Sequence, residues 1–151
     1  MSPETPEGAL RTSDTPRAER YDLVVIGAGS AGLSVASAAA QLGVSVALVE
    51  ADRMGGECLN VGCVPSKALL RCAHVAQTVR EAAKFGVSSC ELTVDGARVQ
   101  AYVRSRIDAL APHDSAERFR SLGCHVLCGN ARFVDSNGCL APRSLRRGQG
   151  R

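Results

Sequence analysis

Residues 22–32 decide the fold, and they are Asp22-Leu23-Val24-Val25-Ile26-Gly27-Ala28-Gly29-Ser30-Ala31-Gly32. The short β-branched run that ends at Ile26 is typical of a strand buried in a parallel sheet. Small residues and leucine then predict a helix over residues 33–42 that ends at Gly43, and residues 44–50 predict a second strand. This order predicts a right-handed strand, helix, strand unit. The fold class is therefore α/β, a Rossmann-like domain with an incomplete parallel sheet.

The glycines of this stretch indicate a nucleotide site. Gly27 permits a tight turn, Gly29 lets the backbone approach a pyrophosphate, and Gly32 lets the helix pack on the strand. With Ser30 and Ala31 between them, the helix N-terminus would hold the phosphates. The next strand ends at Glu50, whose carboxylate can accept hydrogen bonds from a ribose diol and repels a 2′-phosphate. The pattern favours FAD or NAD over NADP, the alternative being a glycine-rich turn without a ligand.

The segment Gly55-Gly56-Glu57-Cys58-Leu59-Asn60-Val61-Gly62-Cys63-Val64-Pro65-Ser66-Lys67 carries the chemistry. A disulfide between Cys58 and Cys63 would close only a six-residue loop, so it constrains little chain and is better suited to exchange than to stabilisation. A helix predicted over residues 66–85 puts Cys63 at its N-terminus, where the dipole stabilises a thiolate, and Lys67 one turn further on. Two thiolates are too few for structural zinc, so no metal site is predicted.

Downstream, residues 96–110 predict an amphipathic helix, and Asp114-Ser115 predict the cap of a short helix that ends at Gly123. Residues 126–128 and 132–134 predict short strands. Cys124 and Cys128 are four apart and are expected on one strand face, as buried apolar cysteines rather than metal ligands. Disorder is predicted for residues 1–20. Residues 138–151 are predicted to form an irregular basic tail. The hypothesis for its origin is truncation or a frame shift.

Composition limits the classes of function. The 151 residues allow one domain, and 45% of them are apolar. The net charge of +3 depends on four arginines in the last nine residues, so a nucleic-acid partner is not expected. Neither a secretory signal nor a membrane span is predicted from the sequence. Seven cysteines at irregular spacing beside a nucleotide motif favour a reducing compartment, the cytoplasm.

Together, residues 27–32, Glu50 and residues 55–70 resemble the opening of the pyridine nucleotide-disulfide oxidoreductases, which include dihydrolipoamide dehydrogenase, glutathione reductase and mercuric reductase. The likeness covers residues 21–137, the expected FAD-binding domain. Residues 111–120 look most like the mercuric reductase branch.

The resemblance implies that NAD(P)H reduces a bound FAD, which reduces a Cys58–Cys63 disulfide; the dithiol then reduces a disulfide or mercuric-ion substrate. It places Cys63 nearest the flavin, Cys58 at the substrate and Lys67 near flavin N5. It also implies cofactor contacts at Gly56, at Glu57, which replaces a threonine common in the family, and at Ala131.

Relatives are expected to be homodimers about three times this length. The resemblance implies that this chain lacks the NAD(P)H-binding domain and the dimer-forming domain with its catalytic His-Glu pair. None of the three histidines is expected to replace that pair. The alternative function is therefore a truncated, non-catalytic fragment that at most binds FAD. Little NAD(P)H-dependent turnover is expected from this chain alone.

Overall fold

A three-stranded parallel sheet, with its strands side by side in chain order, organises the fold. The computed structural model describes residues 19–88, 91–135 and 138–140. The parallel strands are β1 (Leu23–Ile26), β2 (Val46–Glu50) and β3 (His125–Cys128), and an antiparallel pair follows, β4 (Arg132–Asp135) and β5 (Gly138–Leu140). The helices are α1 (Ser30–Gln41), α2 (Gly56–Asn60), α3 (Cys63–Glu81), α4 (Gly96–Leu110) and α5 (Ala116–Ser121), with 3₁₀ turns at Ala82–Phe85 and Ala111–Asp114.

The predicted strand, helix, strand unit is confirmed. β1 pairs with β2 in parallel, with Leu23 opposite Val46 and Ile26 opposite Val49. Helix α1 begins at Ser30, three residues before the predicted start, because Gly29 already serves as its N-cap in an extended conformation. Four of the five residues of β2 are buried, which explains its continuous apolar sequence.

The hydrophobic core lies between the parallel sheet and helices α1 and α5. Phe119 of α5 is its largest fully buried side chain. It packs with residues from the strands and from α1, and the other buried members are Val25, Ala28, Leu33, Ala36, Val46, Leu48, Cys124 and Val126. The core thus joins residues nearly a hundred positions apart and fixes β3 beside β2.

Helices α3 and α4 form a second layer with far less burial. The 19 residues of α3 include one buried residue, Ala68, and the 15 residues of α4 also include one, Val103. An open cavity of about 520 Å³ lies between the two helices and the segment at residues 92–95, and most of its lining is apolar. The amphipathic helix predicted over residues 96–110 is found with those bounds, capped by the Asp95 carboxylate.

Three local predictions are wrong. Residues 56–60 form a helical turn where a loop is predicted, because the left-handed Gly55 (φ +85°) turns the chain into α2. Cys124 is buried, but Cys128 is exposed at the end of β3. Irregular chain is predicted from Gly138, whereas Gly138–Leu140 pair with β4.

The predicted disordered segment and basic tail otherwise fall outside the described residues, except for Glu19, Arg20 and the β5 residues. Among the helices that are described, none is long and apolar enough to cross a membrane.

Candidate functional site

The glycine turn between β1 and α1 has the geometry that its three glycines predict. Gly27 adopts φ +98°, and its amide donates to the Val49 carbonyl at 2.7 Å, which ties the turn to β2. A Cβ on Gly32 would lie 1.9 Å from the Gly27 carbonyl oxygen, so the helix can approach the turn only without a side chain there. A Cβ on Gly29 would meet no atom within 4 Å. The Cβ direction of Gly29 is therefore open, and this side of the residue remains free for a ligand.

The N-terminus of α1 has the features that an anion site requires. It begins with Ser30 and Ala31, and neither a side-chain cap nor an acidic residue of the first turn competes for its amides. Free amides and the helix dipole favour a phosphate at such a position. These residues therefore fit the pyrophosphate of a dinucleotide.

Glu50 at the end of β2 faces the turn. Its Oε2 accepts a hydrogen bond from the Ala28 amide at 2.5 Å, and Oε1 accepts one from the Asp52 amide at 2.8 Å. Its carbonyl accepts from the Gly129 amide at 2.6 Å, two residues before Ala131. Glu50, which is predicted to bind the ribose, thus lies beside the glycine turn. The segment that leads to Ala131 is hydrogen-bonded to the same end of β2.

The cysteine segment packs directly on the glycine turn. The Gly55 amide donates to the Ala28 carbonyl at 2.9 Å, and a Cβ on Gly56 would lie 2.8 Å from the Gly29 Cα. Gly56 itself adopts φ +56°. Any side chain at Gly56 would push α2, and Cys58 with it, away from the turn.

Cys58 lies in the middle of α2, and Cys63 is the first residue of α3, as predicted. Cys58 is half-buried, and Cys63 is exposed. No disulfide joins Cys58 to Cys63 in this structure. A hydrogen bond with Cys63 is the largest of the effects that raise the pKa of Cys58; partial burial adds to it, and the Lys67 ammonium opposes it. The Lys67 charge therefore acts on Cys58, although Lys67 is predicted to lie one helical turn after Cys63.

Asn60 is a structural residue of the site that the sequence interpretation missed. Its side-chain amide donates to the Gly56 carbonyl at 2.8 Å and to the Met54 carbonyl at 3.1 Å. These bonds fasten the end of α2 to the turn that precedes it. Its position between the two cysteines was the available signal, but the bonds depend on a helical turn that was not predicted.

Some candidates lie apart from this cluster. The Glu57 side chain is exposed, and only its carbonyl takes part in the local structure, accepting from the Gly62 amide at 2.7 Å. His125 begins β3 at the opposite end of the sheet, where it contacts the Tyr21 hydroxyl. Burial there, and the neighbouring Glu19 carboxylate, raise the pKa of Tyr21 to about 12. Within the described ranges no group of three or more His, Cys, Asp or Glu side chains could hold a metal ion.

Comparison with known proteins agrees with this geometry. Residues 21–128 match the family described as pyridine nucleotide-disulphide oxidoreductase. Dihydrolipoyl dehydrogenase of Mycobacterium tuberculosis is 54% identical over 119 residues, which are 78% of this chain and 23% of that protein. A dihydrolipoyl dehydrogenase of Bacillus subtilis is 46% identical over 94 residues, 62% of this chain and 20% of that protein.

Among solved structures, the Cu(II) complex of the HOCl-induced flavoprotein disulfide reductase RclA from Escherichia coli superposes with a TM-score of 0.63. The two are 26% identical, over 83% of this chain and 25% of that one. The chain spans between a fifth and a quarter of the length of these relatives. The family match covers most of its residues, so the chain belongs to the pyridine nucleotide-disulphide oxidoreductases.

Proposed function

We propose that this chain is the part of a flavoprotein disulfide reductase that binds FAD and carries the redox dithiol. The contact between the two halves of the site carries the proposal: Gly56 seats on Gly29, and the Gly55 amide binds the Ala28 carbonyl. The nucleotide turn and the dithiol segment are therefore one packed unit. A glycine-rich turn without a ligand would not be expected to pack against a segment that carries two cysteines.

The residues that would hold FAD fall in three groups within the proposed domain, residues 21–137. The turn at Gly27 and the start of α1 would bind the pyrophosphate, and Glu50 would bind the adenosine ribose, with the Ala131 backbone beyond it. Gly56, Glu57 and Lys67 would lie along the flavin side. When bound, FAD supplies two-electron chemistry that a polypeptide lacks.

Cys58 and Cys63 would carry out thiol-disulfide exchange with a substrate disulfide. The Cys58 thiolate attacks one substrate sulfur, which releases the first substrate thiol and leaves a mixed disulfide. The Cys63 thiolate then attacks the Cys58 sulfur, which releases the second thiol and forms the Cys58–Cys63 disulfide. Two electrons leave the protein in this exchange, and NAD(P)H is the proposed source that restores them through the cofactor.

A disulfide is the proposed substrate class, since a reductase named for disulfides is among the structural relatives. Mercuric ion is the proposed alternative substrate, from the likeness of residues 111–120. We also propose a cytoplasmic location and, for the full-length protein, a homodimer. A second candidate function is that of a fragment that only binds FAD.

Titration with FAD tests the proposal, followed by the quenching of flavin fluorescence. Gly29→Ala is the informative variant because its Cβ meets nothing in the protein and would occupy the ligand's space. We expect unchanged circular dichroism and an affinity at least about tenfold lower, equivalent to ~1.4 kcal/mol. Gly96→Ala, also in open space but at the start of α4, is the matched control. Failure of the parent chain to bind FAD, or equal affinity in both variants, would contradict the proposal.

NAD(P)H oxidation in the presence of a disulfide substrate separates the two candidate functions. The fragment candidate predicts FAD binding without turnover, and turnover at the rate of a complete flavoenzyme would exclude it.

A further inference from the structure

Glu50 joins three separate segments in the protein without any ligand. Its two carboxylate oxygens accept from the Ala28 amide of the glycine turn, at 2.5 Å, and from the Asp52 amide of the loop after β2, at 2.8 Å. Its backbone carbonyl accepts from the Gly129 amide beyond β3, at 2.6 Å. Glu50 is thus hydrogen-bonded to all three segments that border the proposed ribose position.

The bond to Ala28 is the critical one because Ala28 is fully buried. A buried backbone amide without an acceptor is costly, so the Glu50 carboxylate satisfies a donor that no other described group satisfies. The Ala28 carbonyl accepts a hydrogen bond from the Gly55 amide. Ala28 is therefore held at both of its backbone polar groups, by Glu50 on one side and by the cysteine segment on the other.

We propose that Glu50 is a positioning residue that sets the shape of the glycine turn before FAD arrives, in addition to any contact with the ribose. The proposal rests on the proposed function for the identity of the ligand only. If most molecules already hold the turn in its binding conformation, little free energy is spent on reaching that conformation. The ligand then binds more tightly. Loss of the carboxylate would lower the affinity of the chain for FAD and also for an analogue of FAD that lacks the ribose hydroxyls.

Amide hydrogen exchange of the FAD-free chain, resolved by NMR, tests the positioning role. In Glu50→Ala we expect the Ala28 amide to exchange at least about tenfold faster than in the parent chain, because it has lost its acceptor. The Asp52 amide should also exchange faster. Glu91→Ala, at an exposed carboxylate away from the turn, is the control and should leave both amides unchanged.

Glu50→Gln keeps the test decisive if Glu50→Ala does not fold. The amide side chain has the same shape but a single acceptor oxygen, so one of the two backbone amides must lose its partner and exchange faster. Unchanged exchange of both amides would overturn the proposal. Faster exchange in a chain whose parent does not bind FAD would instead keep the positioning role and reject the proposed function.

Discussion

The β1-α1-β2 unit and the α3–α4 pair bury their residues to very different extents. β2 is buried over four of its five positions, and α1 contributes Leu33 and Ala36 to the core. By contrast, α3 and α4 each bury a single residue, although they contact each other along their length. Their large apolar residues are mostly on the surface, and these include Leu69, Leu70, Val75, Tyr102 and Leu110.

The two regions contribute unequally to the stability of the fold. The sheet, α1 and α5 share one core, so they should unfold together, whereas α3 and α4 can loosen without exposing that core. Cys58 and Cys63 lie at the boundary, with α2 fastened to the glycine turn and α3 leading away from it. The cysteine pair is thus attached to the more buried of the two regions through α2.

The largest expected difference in the free energy of unfolding is between alanine variants of two phenylalanines. Phe119 is 1% exposed and Phe85 is 80% exposed. Phe119→Ala should lower the free energy of unfolding by about 3–5 kcal/mol, because it removes the largest side chain of the core. Phe85→Ala should change it by less than ~0.5 kcal/mol. Urea denaturation followed by circular dichroism measures both, and similar losses in the two variants would abolish the distinction between the regions.

A second pair of variants compares glycines in α1 and α4. The Cβ of Gly32→Ala would overlap the Gly27 carbonyl at 1.9 Å, so we expect a loss of about 1–3 kcal/mol or more from the forced separation of helix and strand. Gly96→Ala has no atom within 4 Å of its Cβ and should be neutral or slightly stabilising. The same denaturation experiment decides, and a tolerated Gly32→Ala would show that the helix can move aside.

Helix caps provide a subtler comparison. The Asp95 carboxylate accepts from the Ala97 and Arg98 amides at the start of α4, and the Ser115 hydroxyl accepts from the Arg118 amide at the start of α5. Either substitution by alanine should cost its helix about 1 kcal/mol. Ser115→Ala should lower global stability because α5 carries Phe119, whereas Asp95→Ala should speed exchange only in α4. Global destabilisation by Asp95→Ala would mean that α4 shares the core's cooperativity.

The smallest effect concerns the reactivity of Cys58 in the reduced chain. Since the hydrogen bond with Cys63 raises its pKa, Cys58 holds less thiolate at neutral pH than an ordinary cysteine. Cys63→Ala should shift the pH profile of Cys58 alkylation to lower pH. Lys67→Gln should shift it to higher pH, because Lys67 lowers the pKa. Peptide-resolved mass spectrometry follows the rate, and unshifted profiles in both variants would contradict the arrangement.

Local patterns predicted what local forces determine. The apolar run of β1, the glycine turn and the 96–110 helix follow from periodicity and capping, and each is found. Helix α2 was missed because it has five residues and depends on the left-handed Gly55 and on its packing against Gly29. The hydrogen bonds of Glu50 and Asn60 were missed for the same reason, since their partners are brought near only by the folded turn.

Hydrogen exchange of the parent chain with and without FAD, followed by mass spectrometry, tests the central claim most directly. If the glycine turn and the dithiol segment are one FAD-binding unit, FAD should slow exchange in residues 27–32 and residues 55–63 together and leave α4 unchanged. Slowing in the glycine turn alone, in α4 alone, or nowhere would contradict the claim that FAD and the cysteine pair share one site.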